Sequence, residues 1–132
     1  MLRVSGSTVK VRRFLATSSI QPSRVFWKGD PGTPKSRGPI KISGFNIELS
    51  GADGIVEQAA QASQFIRRHK QDFLLIRSLG FSAATIDFGL YDLATEDRPW
   101  PCYRIPHPLV LLASELGCSI ELSFYGMPPD AS

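Results

Sequence analysis

Two stretches, "FSAATIDFGLYDL" (81–93) and "CSIELSFY" (118–125), alternate apolar and polar residues. In the first, Ala84, Ile86, Phe88 and Leu90 share one phase, and Thr85, Asp87, Gly89 and Tyr91 the other. In the second, Cys118, Ile120, Leu122 and Phe124 alternate with Ser119, Glu121, Ser123 and Tyr125. Period-two alternation marks a strand with one buried and one wet side. Parallel sheets buried on both faces lack it, so these segments restrict the chain to an antiparallel or mixed sheet covered on one face. The fold class this predicts is α+β, a two-layer sandwich with helices packed on one face of the sheet.

The remaining segments supply the cover and further strands. "LRVSG" reads as a first short strand, and Ser7 can cap a helix whose apolar positions Val11, Phe14 and Leu15 lie on one side. Pro22 ends that helical segment. "RVFW" is β-prone, and the glycines, prolines and Asp30 after it make residues 28–39 a long connection. Beyond the loop, Ile40 and Ile42 share one phase while Phe45, Ile47 and Leu49 share the other. A period-two pattern cannot slip without turning its face over, so Gly44 is expected to mark a β-bulge or a break between two strands.

Asp53 is a candidate cap for a helix with Ile55, Ala59, Ala62 and Phe65 or Ile66 as its apolar stripe. His69 and Lys70 interrupt that stripe, and Phe73, Ile76 and Leu79 resume it. The pattern predicts two consecutive helices, or one kinked helix, ending before Gly80, because a straight one would bury a charge on its seam. "LVLLASELG" predicts a short buried helix with Pro108 at its start and Gly117 as its stop. "MPPDAS" reads as a tail.

At 132 residues the chain suits a single domain, 1–132, and no apolar run approaches a membrane span. Its charge is unevenly spread. Residues 1–52 carry nine basic side chains against Asp30 and Glu48, while residues 53–132 carry six against ten acids. The acid-free, Arg- and Ser-rich opening "MLRVSGSTVKVRRFLATSS" is also the composition of an organellar presequence, and that alternative stands beside a cytoplasmic reading. Two cysteines, Cys102 and Cys118, are too few for a disulfide framework and read as free thiols of a reducing compartment, with a Cys102–Cys118 bridge as the open alternative.

The segment "IQPSRVFWKGDPGTPKSRGPIKISGFNIELSG" (20–51) resembles a family of small bacterial α+β proteins known only as a domain of unknown function. In that family a proline and a short strand lead into a Lys-Gly-Asp turn, and the next strand has an aromatic near its middle. The matching residues are Pro22, Lys28, Gly29, Asp30 and Phe45, and the later order of elements, ending in "FYG", looks like the same family. Some small bacterial proteins of similar organisation are suspected toxin-neutralising immunity proteins. The resemblance implies no catalytic residues.

Three candidate surfaces follow. If the two alternating strands are neighbours, Asp87, Tyr91, Glu121 and Tyr125 share one polar face, and tyrosines beside acids suit a protein partner. The plainer alternative is an ordinary solvated face. Nucleic acid is the second candidate: Arg12, Arg13, Arg24, Lys28, Lys35 and Arg37 could follow phosphates around a base stacked on Trp27. Against it, Trp27 can simply close one end of the core. The third is a small enzyme built on Cys102 and His107, in a loop that also holds Trp100 and Tyr103. Its four prolines favour a packed connection, and Glu96 and Asp97, adjacent in sequence, do not suit an acid–base pair.

The loop "GDPGTPKSRG" matches neither GxxxxGK[ST] nor GxGxxG, so no nucleotide cradle is expected. No cofactor, metal site or membrane is expected either. The leading expectation is a non-enzymatic, immunity-like protein-interaction module.

Overall fold

A computed structural model describes residues 1–35, 37–91, 97 and 102–125. Glu96, Trp100 and the closing "MPPDAS" lie outside the described residues.

Strand β1 (Leu2–Gly6) runs into helix α1 (Thr8–Thr17), and β2 (Arg24–Phe26) and β3 (Ser43–Ile47) follow. Next come helices α2 (Ile55–Arg68) and α3 (Lys70–Leu79), then β4 (Ala83–Leu90), α4 (His107–Glu115) and β5 (Ser119–Phe124). The strands form one mixed sheet in the order β2-β3-β1-β4-β5. All pairs are antiparallel except β4 and β5, which run parallel because α4 carries the chain back between them.

One face of the sheet holds the core. Leu2 and Val4 of β1 stand opposite Ile47 and Phe45 of β3 on one side and Ile86 and Ala84 of β4 on the other. Onto this layer pack Val11 and Phe14 from α1, Ala59, Ala62 and Ile66 from α2, Phe73 and Ile76 from α3, and Leu109 and Ala113 from α4. At its centre the Phe14 and Phe45 rings stack with centroids 4.4 Å apart. All four helices thus seal the same side, as the strand alternation demands.

Local chemistry fixes the joints. Ser7 is extended and its hydroxyl accepts a bond from the Lys10 amide, which caps α1. The break between α2 and α3 falls at His69, whose backbone leaves the helical region at φ −111° and ψ 33°. Gly80 ends α3 in the left-handed conformation, φ 67°, that glycine adopts without a steric penalty. The Lys-Gly-Asp sequence forms a turn at the neck of the long loop, where the Gly29 amide donates to Ile40 and the Ile40 amide to Asp30.

Three expectations need correction. Gly44 is not a bulge, because β3 runs in unbroken register with both β1 and β2, and Ile40 and Ile42 lie in the preceding loop. The strand opens at Ser43, whose fully buried hydroxyl takes the Lys28 amide at 2.8 Å and bonds the Thr8 hydroxyl at 2.8 Å. Second, Gly54 rather than Asp53 stands at the start of α2, with no side-chain cap. Third, α4 is only half buried: Leu109 and Ala113 face inward while Val110 and Leu111 are exposed. The opening segment is built into the fold: β1 is the middle strand, and Leu2, Val4, Val11 and Phe14 belong to the core. Removing residues 2–17 would take the centre out of the sheet.

Candidate functional site

The side of the sheet away from the helices carries Arg3, Ser5, Asn46, Phe26, Thr85, Asp87, Gly89, Glu121 and Ser123, because their neighbours in each strand point into the core. Parallel pairing sets Asp87 directly beside Glu121, and Gly89 beside Ser123. Asp87 accepts a 2.7 Å bond from the Ser123 hydroxyl. The Arg3 guanidinium lies 3.2 Å from Glu121 and 3.9 Å from Asp87. Asp87, Tyr91, Glu121 and Tyr125 therefore lie together. Sequence reading missed Arg3, whose cation offsets the two acids; its alternation with Leu2 and Val4 is the signal that places it there.

At one end of this group the Tyr91 and Tyr125 rings stack, with centroids 5.2 Å apart and planes 18° from parallel. They lean over Gly89, where a Cβ atom would come within 3.1 Å of the Tyr125 ring. The absent side chain makes room for the stack. Beneath it the buried Gln58 of α2 donates from Nε2 to the carbonyl oxygens of Gly89 at 2.8 Å and Asp53 at 3.0 Å. Gln58 falls on the inner stripe of α2, where the apolar pattern alone would not have found it. Together with Met1, Glu48 and Ser50 these residues line a concavity of about 360 Å³.

The other half of the face is more apolar. Phe26 lies over Gly44, where a Cβ atom would approach the ring to 2.6 Å and the Val4 carbonyl oxygen to 2.3 Å. Phe26, Ile42, Ala83 and Thr85, with Arg3 and Asn46, line a second concavity of about 350 Å³. Phe26 alternates with Val25 and Trp27, which turn toward the core.

The candidate nucleic-acid residues divide between the two sides. Trp27 packs against the core with the Arg12 guanidinium 5.7 Å from its ring centre, so it closes one end of the fold. Arg24 lies instead on the open side, 5.8 Å from the Phe26 ring centre. It joins Arg37 and Lys41 around a concavity of about 380 Å³ beside the long loop, which Arg12, Arg13, Lys28 and Lys35 do not line. Of the candidate set, that concavity gathers only Arg24 and Arg37.

Cys102 is an exposed free thiol, and His107 is the exposed first residue of α4. Among the described residues no hydrogen bond joins them. Cys118 is also free, and burial pushes its thiol up to about 11. Among the described residues, no helix is long and apolar enough to cross a membrane.

Comparison with protein-family models, with curated proteins and with solved structures finds no match for this chain.

Proposed function

We propose that this protein is a non-enzymatic interaction module, immunity-like in kind, that docks another protein on the helix-free face of its sheet. One observation carries the reading: four helices seal one side, while the other presents the Tyr91–Tyr125 stack, the Phe26 ring and a charged centre of Arg3, Asp87 and Glu121. Aromatic rings flanking paired charges are the composition of a recognition surface, where rings supply contact area and charges fix orientation. The carboxylates favour docking over bond making, since Asp87 is held by Ser123 and Arg3, and Glu121 by Arg3.

The test is capture from native lysate with the wild type, Glu121→Lys, Tyr91→Ala and Tyr125→Ala. The substituted positions are exposed, so the fold should persist. Loss of the same captured protein in all three variants supports the reading; undiminished capture rejects this surface. Nucleic-acid binding has a narrower support, the cations Arg24, Arg37 and Lys41 around one concavity. Retention on single-stranded nucleic acid at about 50 mM salt, lost on raising the salt and on Arg37→Ala, would favour it.

A further inference from the structure

The two edges of the sheet are unlike. At one end β2 has only three residues and runs into a loop rich in proline, glycine and lysine. At the other end β5 is six residues long, and among the described residues nothing pairs with its outer side. The Tyr125 amide donates to the Leu90 carbonyl oxygen, so the amides of Ser119, Glu121 and Ser123, in phase with it, point toward β4. Those of Ile120, Leu122 and Phe124 then point outward, as do their carbonyls.

Sheet edges of monomeric proteins are ordinarily blocked by lysine, proline, a bulge or an inward charge. β5 has none of these: its one charge, Glu121, lies on the open face and is neutralised by Arg3. Of its core-side residues Ile120 and Leu122 are partly buried, whereas Phe124, with the Tyr103 ring centre 5.8 Å from its own, is still 64% exposed, and α4 leaves Val110 45% and Leu111 51% exposed. An unblocked edge and an apolar fringe thus occur on the same strand–helix unit.

From this we infer that β5 pairs with β5 of a second copy, antiparallel about a two-fold axis at Leu122, to make one continuous sheet across a homodimer. The residue pattern suits a second copy in this register. An axis at Leu122 sets Ile120 opposite Phe124 of the second copy on the helix side, and Glu121 opposite Ser123 on the open side. The outward amides and carbonyls of Ile120, Leu122 and Phe124 become hydrogen-bonded pairs, roughly six bonds in all. An axis one position earlier would place Glu121 against Glu121, a like-charge pair that destabilises. In the Leu122 register each exposed Phe124 packs beside Ile120 of the other copy, and the contact is reciprocal, as a two-fold interface requires. The strand supplies its own complement.

The experiment measures mass by light scattering and amide exchange by NMR on the full chain, at about 100 μM, where a micromolar dimer is populated. The expected mass is twice 14.5 kDa. The Ile120, Leu122 and Phe124 amides should exchange slowly in the dimer, and faster on dilution while the Glu121 and Ser123 amides stay protected. Phe124→Lys, at an exposed position, should weaken the dimer roughly tenfold or more without unfolding it. A monomer at this concentration, a dimer indifferent to Phe124→Lys, or fast exchange at Leu122 in the dimer would each overturn the inference. None of these readouts involves Tyr91 or the lysate partner, so failure here leaves the open-face proposal standing, and the reverse.

Discussion

Arg3 of β1 reaches across the whole width of β4 to Glu121 of β5, at 3.2 Å, passing Asp87 at 3.9 Å. One cation thereby serves two strands that follow it by more than eighty residues. The two acids differ in consequence. Glu121 has 54% of its side chain exposed, so its pairing is worth at most about 1 kcal/mol. Asp87 is only 13% exposed and also accepts from Ser123. Glu121→Lys should lower the stability by less than about 1 kcal/mol, whereas Asp87→Lys should cost roughly 3 kcal/mol by burying an unpaired cation. Urea unfolding of both variants checks the ordering, which is why Glu121 is the better site for a binding test.

Glycine recurs beneath the aromatic rings of the open face, with Gly44 under Phe26 and Gly89 under Tyr125, and the two sites differ in tolerance. At Gly44 an added methyl group would meet the Val4 backbone oxygen at 2.3 Å, and that oxygen belongs to the central strand. Gly44→Ala should therefore destabilise by about 3 kcal/mol or more. At Gly89 the nearest atom, 3.1 Å away, is the movable end of the Tyr125 ring. Gly89→Ala should keep the fold, at a cost of about 1 kcal/mol, and separate the tyrosine stack. Thermal melts and the near-ultraviolet circular dichroism of the tyrosines distinguish the two outcomes.

Much of this arrangement was legible in the chain because period-two alternation is unambiguous about faces. Asp87 and Glu121 could be put on one face from their phase, and strand adjacency then brought them together. What stayed hidden depends on partners distant in sequence. Gly44 breaks no register; its apparent phase slip arose because Ile40 and Ile42 belong to a loop, which local alternation cannot distinguish from a strand. Gln58 gave no local signal, because its two carbonyl partners come from the preceding turn and from a strand thirty-one residues later. Val110 and Leu111 looked buried because composition records that a helix is apolar, while only its packing shows that Leu109 and Ala113 are the residues turned inward.

The two thiols should react very differently. Cys118 is partly buried, and with its thiol raised to about 11 by that burial, only roughly one molecule in a thousand holds a thiolate there at pH 8. Cys102 is exposed. Iodoacetamide at pH 8 should label one thiol per native chain, mapped to Cys102 by mass spectrometry, and two after denaturation. A Cys102 rate far above that of a small free thiol would instead indicate an activated nucleophile and revive the Cys102–His107 reading.

The junction between α1 and α3 should make stability depend on acid. Asp72, in the first turn of α3, accepts from the Ser19 amide at 3.1 Å and the Ser19 hydroxyl at 2.8 Å, with His69 3.7 Å away. Burial works to raise its pKa, but the bonds from Ser19, a further one from Ser18 and the charge of His69 together hold it below the usual carboxylate value. A carboxyl depressed in the folded state stabilises above its unfolded pKa, and the contribution disappears as pH falls through the folded value. Asp72→Ala should therefore be less stable than the wild type by roughly 1 kcal/mol at neutral pH, from the lost charged hydrogen bonds. That gap should hold down to about pH 4 and narrow steadily below it, as the wild-type carboxyl takes up its proton. Urea titrations of both proteins at pH 7, 5, 4 and 3, roughly spanning the carboxylate range, measure the gap directly. A difference that stays constant through the most acid point would mean that Asp72 acts through packing rather than through its charge.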